Sequence, residues 1–323
     1  MKITVIHHSA DADGIFCREI ARHFLLIDRY SPGSPPPEVE FIGWDFPNEF
    51  LTLSQIVDSD RVYVMDLPLD KTFGFDASDL PGFNWERFIW IDHHATSIAS
   101  HPTGIPGYRI DGVAACRLAW QWFTAANRFQ TQSGGEPDWK WFQRFYPFPK
   151  KEDFIARSVT EPLAVQLAGE YDIWDKRNPA AETFQYALKC GEIGLSTYHA
   201  LFANDEKLLK SMLFGGGIAQ RYAQQSDADT CRARSFLMRW EGLNFLCINS
   251  ARFNSQFFAS RDIEATGHDA LLGFCWDGRK WNVSLYHAKH RTDLDLSKIA
   301  LSYGGGGHKG ACGFTCKTLD FPL

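Results

Sequence analysis

The sequence predicts an α/β protein: a mostly parallel β-sheet flanked by helices, followed by a smaller α/β domain. Three observations carry this. Short apolar runs that read as strands alternate with helical periodicities early in the chain, the pattern of βαβ units. The run Phe88-Ile89-Trp90-Ile91 is apolar throughout, as a strand covered on both faces must be, and it ends abruptly in Asp92-His93-His94. Near the end, two strand-like stretches flank Asp277-Gly278, a strong short hairpin signal.

In order, residues 3–6 form the first expected strand, with His7-His8-Ser9-Ala10-Asp11-Ala12-Asp13-Gly14 as the loop after it. A helix is expected over 15–26, with Ile15, Ile20, Phe24 and Leu25 as core positions. Ser31-Pro32-Gly33-Ser34-Pro35-Pro36-Pro37 breaks the chain. Residues 39–44 give a second strand, 47–56 a weak helix, 61–65 a third strand ending at Asp66, and 88–91 the fourth. Residues 111–124 read as a helix with Asp111 as its N-cap, and 158–171 as a helix leading into Asp172-Ile173-Trp174-Asp175. The aromatic run at 139–148 reads as packing a flank or lid of the core; the alternatives are that it stacks bases or meets a second subunit in a homodimer. From 201 to 239 the pattern is helical, interrupted at Gly215-Gly216-Gly217, and the polar stretch 224–229 is expected to connect two domains. The second domain is expected from about Glu241: a strand at 244–249, a hairpin over 270–287, a helix at 296–303 and the glycine-rich close Gly304 to Phe314. The expected divisions are 1–195, a helical connector at 196–240, and 241–323.

A chain of 323 residues, 45% hydrophobic, suffices for two cores. Its net charge of −6, from 33 basic against 39 acidic residues, excludes the global basic field of a duplex-binding protein. A nucleic-acid partner would be short, or held by a local patch and by metal. The eight cysteines form no CxxC pair, which favours a reducing compartment over a disulfide framework or a structural zinc site. Neither a secretory signal nor a bilayer-spanning run is read, so the expected location is the cytoplasm, with no membrane partner.

Metal-type ligands stand at four successive element ends: His7, Asp11 and Asp13; Asp66; Asp92, His93 and His94; and Asp172. Open α/β sheets place their ligand crevice at such strand ends. Each residue alone has an ordinary reading. Asp13 caps a helix, Asp66 sits in a turn, Asp172 ends a solvated helix, and adjacent histidines occur on surfaces. Their joint occurrence in a βαβ chain is better explained by one site. Carboxylates mixed with imidazoles suit Mn²⁺ better than Mg²⁺ alone, and suit zinc less than thiolates would. A carboxylate shared between two ions about 3.5–4 Å apart is the usual core of a two-metal hydrolytic site. Without cations, clustered acids would repel one another or take up protons.

These motifs resemble those of the DHH-family phosphoesterases with a DHHA1 second domain. The opening motif is matched by residues 7–14, the second by Val64-Met65-Asp66, the name motif by Asp92-His93-His94, the fourth aspartate by Tyr171-Asp172-Ile173-Trp174, and the DHHA1 glycine motif by Gly304 to Phe314. The resemblance implies two Mn²⁺, with Mg²⁺ or Co²⁺ as substitutes, and an active-site cleft between the domains. One ion would be held by His7, Asp11 and Asp66, the other by Asp13, Asp66, His93 and Asp172, with Asp66 bridging. His8 competes with His7, and the commoner family spacing favours His7. His94 would contact the scissile phosphate or protonate the leaving group, and Asp92 would orient a histidine. Gly305, Gly306, Gly307 and His308 would cradle a phosphate. Many relatives carry an arginine near Tyr286, where a tyrosine can stack a base; Lys289, His290 or Arg291 stand nearest to replace the charge. The resemblance is strongest to the nanoRNase B, oligoribonuclease-like branch. It implies Mn²⁺-dependent hydrolysis of very short single-stranded oligonucleotides to 5′-mononucleotides. Cyclic dinucleotides, adenosine 3′,5′-bisphosphate and single-stranded DNA ends are alternative substrates. A non-catalytic nucleic-acid-binding scaffold with a relic site and a tRNA-handling role are the alternatives of another class.

Overall fold

Strand β1, Lys2–His8, forms around Ile3, Val5 and Ile6, none of which retains any exposed surface. In the computed structural model, which describes residues 1–27, 36–45, 49–74, 84–100, 105–133, 160–191, 193–251, 255–258, 267–288 and 290–321, β1 lies inside a four-stranded sheet. The order is β2 (Glu38–Trp44), β1, β3 (Arg61–Met65), β4 (Phe88–Ile91), and every neighbouring pair is parallel.

Side chains alternate across this sheet with the period of two that a strand imposes. Ile3, Val5, Tyr63, Met65, Ile89 and Ile91 face one core. That core is closed by α1 (Ala12–Arg22) and by two later helices. Ile6, Val62, Val64, Phe88 and Trp90 face the other, with Leu69 and Phe73 of α2, Leu69–Phe73. The edge at β4 is covered by residues 105–110: Trp90 N donates to Pro106 O at 2.7 Å, and Asp92 N to Tyr108 O at 3.1 Å. After the short helix α3, Ala95–Ser100, comes α4, Ala115–Ser133. The expected start of that helix at Asp111 is corrected by four residues. Its first amides are satisfied by a carboxylate from elsewhere in the chain, described below. Of the expected helix over 47–56, the described residues show only a single tight turn, Leu53–Gln55. The aromatic run at 139–148 lies outside the described residues.

Next come α5 (Leu163–Asp172), α6 (Pro179–Lys189), α7 (Leu195–Phe202) and α8 (Glu206–Arg234). The expected break at Gly215-Gly216-Gly217 does not occur. α8 runs unbroken through the glycines and through the polar stretch at 224–229. A Cβ at Gly216 would come within 2.3 Å of Thr183 O on α6, so this glycine serves close helix packing. The chain divides into two compact units, Met1–Gly217 and Ile218–Leu323, with the boundary inside α8.

The second unit holds a six-stranded mixed sheet. Its order is β5 (Phe236–Trp240), β6 (Leu243–Asn249), β7 (Ala270–Trp276), β8 (Trp281–His287), β10 (Ala311–Cys316), β9 (Gly306–His308). β6 and β7 are parallel, and the other neighbouring pairs are antiparallel. β5 stands where helix was expected. The β7–β8 hairpin turns where the sequence predicts it, with Asp277 Oδ1 accepting from Arg279 N at 2.8 Å and Lys280 N at 2.9 Å. A short helix α9, Ser297–Ser302, packs on β9 and β10. Among the described residues, no helix is long and apolar enough to cross a membrane.

Candidate metal centre

The carboxyl ends of β1, β3 and β4 point the same way because the strands are parallel, and each delivers polar side chains to one place. After β1 the chain turns directly into α1. Asp11 caps that helix, its Oδ1 accepting from Gly14 N at 3.0 Å. A Cβ on Gly14 would lie 2.2 Å from His8 O, so only glycine allows the helix to start this close to the strand. Asp13, in the first turn of α1, is buried and caps a second helix: its two oxygens accept from Ala115 N at 2.9 Å and Cys116 N at 2.8 Å, the first amides of α4. That explains why α4 starts at Ala115, and it ties the acid to positive helix-terminal dipoles.

Asp66 follows β3 with φ of +60°, in the left-handed region. For a non-glycine residue this costs about 1–2 kcal/mol. The conformation is held by Asp66 N donating to Ile91 O at 2.9 Å and by Trp90 Nε1 donating to Leu67 O at 2.9 Å. After β4, buried Asp92 accepts at Oδ1 from His93 N at 2.8 Å and from His94 Nδ1 at 2.7 Å. Behind it lies Arg109, which sequence reasoning missed. Its guanidinium donates to Trp90 O and Ile105 O and stacks on the Trp90 ring. Burial pushes the Arg109 guanidinium down to about 10. Asp172 reaches the same place from the end of α5.

These residues form three overlapping groups of metal-type donors: His8, Asp11 and Asp66; Asp66, His93 and His94; and Asp13, His93 and Asp172. Asp66 belongs to two of them. Its Oδ2 lies 3.3 Å from His8 Nδ1 and its Oδ1 lies 3.3 Å from His93 Nε2. The carboxylate therefore presents one oxygen to each side. His93 Nε2 is also 3.4 Å from Asp172 Oδ2 and 3.8 Å from Asp13 Oδ2. Of the two adjacent histidines in the opening motif, the structure brings His8 to the acids, with Nδ1 2.9 Å from Asp11 Oδ2. His7 is buried, donates from Nδ1 to His8 O at 2.8 Å, and belongs to none of the donor groups among the described residues.

The electrostatics are those of an acid cluster held by imidazoles. Burial, and then the Asp66 and Asp172 charges, push the Asp13 carboxyl well above the usual range. Burial and the neighbouring acids push Asp172 up to about 6, against the lowering effect of His93. Burial also works to raise Asp66, but the imidazoles of His8 and His93, each 3.3 Å away, more than offset it, and its carboxyl is lowered. Burial alone would lower both imidazoles; the acids override it and hold His8 at about 11 and His93 at about 10. The hydrogen bond that His94 donates to Asp92 is the main cause raising His94. Burial drives His7 down to about 4, so that ring is neutral.

The donor set fits divalent cations on an observation independent of any motif. His8 Nδ1, Asp66 Oδ2 and Asp172 Oδ2 are buried atoms without an aligned hydrogen bond, although acids and imidazoles stand close by. Buried polar atoms are ordinarily satisfied. Atoms that converge without bonding one another are disposed around something else. Cations would be held by His8, Asp11 and Asp66 on one side and by Asp13, His93, Asp172 and Asp66 on the other.

The second unit carries the remaining predicted residues. Strand register aligns His308, Ala311 and Tyr286 in one row across β9, β10 and β8, and Gly306, Gly313 and Ser284 in the next row on the same face. His308 is exposed, and Gly307 has φ of +126°, which excludes other residues. A Cβ on Gly305 would lie 2.1 Å from Gly313 O. Tyr286 is half-buried against a cluster that includes Cys231, Leu246 and Phe258. Arg291 is engaged by two acids, pairing with Asp269 and with Asp293, whose Oδ1 is 3.0 Å from its Nε.

No family model matches the sequence, and no curated protein matches it. Solved structures do. The chain is similar to the DHH domain of a member of the s1p family of ribosomal proteins, at 15% identity and a TM-score of 0.50, covering 98% of this chain and 82% of that one. It also aligns with a pGpG-specific phosphodiesterase, PggH, from Vibrio cholerae, at 13% identity and a TM-score of 0.44 over 98% and 94% of the two chains. RecJ from Thermus thermophilus in complex with Mn²⁺ aligns at 14% identity and a TM-score of 0.47 over 98% of this chain and 49% of that one, about half its length. The first of these likenesses, together with the parallel sheet and the mixed sheet after it, establishes the fold as that of a DHH domain followed by a smaller mixed-sheet domain.

Proposed function

We propose that the protein is a metal-dependent phosphodiesterase, and that its substrates are very short single-stranded oligonucleotides cut to 5′-mononucleotides. The observation that carries this is Asp66, one buried carboxylate common to two donor groups, with a different oxygen toward each. A shared carboxylate is what a pair of divalent cations requires. Mn²⁺ suits the mixture of imidazole and carboxylate donors, with Mg²⁺ or Co²⁺ as substitutes. When bound, such a pair supplies Lewis-acid activation of water and charge neutralisation at the phosphate.

The chain's own residues supply the rest. Asp92 fixes the His94 ring through Nδ1, and the hydrogen bond to its carboxylate raises the basicity of the imidazole. Half-exposed as it is, His94 can contact a phosphate oxygen or give its proton to the leaving group. Asp13 anchors its site to the start of α4, which resists movement of the acid when charge changes nearby. In the second unit, Gly306, Gly307 and His308 provide backbone and an imidazole for a terminal phosphate, Gly305 holds the turn by donating from N to Ala300 O at 2.8 Å, and Tyr286 provides a ring beside them. The net charge of −6 and the pairing of Arg291 with two acids favour a short substrate over a long strand, which needs an extended basic groove.

The test is cleavage of di- to pentanucleotides by the full chain with Mn²⁺, run beside cyclic dinucleotides, adenosine 3′,5′-bisphosphate and single-stranded DNA. Turnover of the short oligonucleotides, lost on chelation, is expected. A protein that binds Mn²⁺ yet turns over none of them refutes the substrate assignment.

A further inference from the structure

Asp45 follows directly on the edge strand β2, whose last residue, Trp44, lies opposite His8 in the ladder. Ser9 N donates to Trp44 O at 3.0 Å, so the two strands remain tied one residue beyond that pair. This register sets the Asp45 carboxylate beside the His8 ring, with Oδ1 3.2 Å from Nε2 in a hydrogen bond. The other ring nitrogen, Nδ1, faces Asp11 at 2.9 Å and Asp66 at 3.3 Å and is aligned for a hydrogen bond with neither. One ring edge is therefore tethered and the other is left toward the acids. An imidazole binds a cation only through a nitrogen whose lone pair is free, and the bond made by the opposite nitrogen decides which one that is.

We propose that Asp45 is a positioning residue for His8: it accepts the Nε2–H, fixes the rotation of the ring and leaves the Nδ1 lone pair directed at the cation position shared with Asp11 and Asp66. The inference rests on the two-cation reading and extends it to β2, the strand that supplies none of the donors themselves. The tether is partly shielded from solvent, with side-chain exposures of 18% for His8 and 38% for Asp45. It mirrors the Asp92–His94 pair with the nitrogens exchanged, since Asp92 holds its histidine through Nδ1. Acting through His8, Asp45 bears on the cation shared with Asp11 and Asp66 and leaves the one held by Asp13, His93 and Asp172 untouched.

The test is Mn²⁺ binding by the full chain, followed through the electron paramagnetic resonance signal of free Mn²⁺, for wild type, Asp45→Ala and Asp45→Asn. Wild type is expected to bind two ions. Asp45→Ala should weaken one of them by about 10- to 100-fold, the usual effect of losing a ligand's hydrogen-bond partner, and leave the other within about threefold. Asp45→Asn keeps an oxygen that can accept the Nε2–H and should fall between the two. Unchanged affinity for both ions in Asp45→Ala overturns the role of Asp45 and leaves the two-cation reading intact. Equal weakening of both ions also overturns it, by marking a general structural effect. Absence of Mn²⁺ uptake by wild type removes the two-cation reading and this inference together.

Discussion

Asp66→Asn should erase most of the stabilisation that Mn²⁺ confers, whereas Asp11→Asn should erase about half. Asp66 belongs to two donor groups and Asp11 to one, so the two changes remove different numbers of ions. An ion present at a hundred times its dissociation constant stabilises the folded state by about 2.7 kcal/mol, and two independent ions by about 5.4 kcal/mol. For a unit of this size, about 1 kcal/mol moves the melting temperature by roughly 2–4 °C, so wild type should gain roughly 11–22 °C. Asp11→Asn should then gain roughly half as much, and Asp66→Asn close to nothing. Asparagine tolerates the left-handed backbone that Asp66 adopts, so the metal-free fold should survive the change. Melting of each variant in EDTA and in saturating Mn²⁺ reads the difference. An Mn²⁺ increment in Asp66→Asn equal to that in Asp11→Asn would refute the bridging role.

Other outcomes follow from the same geometry. His8 and His93 are held at about 11 and about 10, above the ordinary imidazole value of 6.5. The stability they lend the metal-free protein is complete below 6.5 and is lost as pH rises through those values, so the melting temperature in EDTA should fall between pH 7 and 11. Mn²⁺ must displace the same protons, so its affinity should rise with pH; affinity independent of pH between 6.5 and 9 would contradict this. His94→Ala should lower turnover of a short oligonucleotide by about 10²- to 10⁴-fold while both Mn²⁺ ions still bind, and an unaltered kcat would remove His94 from the chemistry. Gly305→Ala, whose Cβ would meet Gly313 O at 2.1 Å, should destabilise the second unit by about 1–3 kcal/mol in denaturant melts. Gly194→Ala, with nothing within 4 Å, serves as the neutral comparison.

The sheet of the first unit was legible because β1, β3 and β4 are short apolar runs that stop at polar residues, and those stops carry the candidate donors. β3 and β4 were placed residue for residue at 61–65 and 88–91. The Asp277-Gly278 hairpin was legible for the same local reason. What failed depends on contacts between distant segments. The start of α4 is set by Asp13, about a hundred residues earlier, and a local N-cap at Asp111 could not reveal that. Three glycines read as a helix break, yet Gly216 is required by the approach of α8 to α6, a tertiary demand that overrides helix propensity. His7 and His8 sit side by side on a strand and point to opposite faces; the family spacing favours His7, whereas the strand presents His8 to Asp11 and Asp66. Asp45 carries no motif. Its placement depends on β2 pairing with β1 in one register, which a single sequence does not state.

The most direct measurement is anomalous diffraction from crystals of the full chain soaked in Mn²⁺. Two peaks about 3.5–4 Å apart are expected, one on either side of the Asp66 carboxylate, with His8 Nδ1 on the first ion and His93 Nε2 on the second. A single peak that does not touch Asp66, or none in this cluster, would contradict the account.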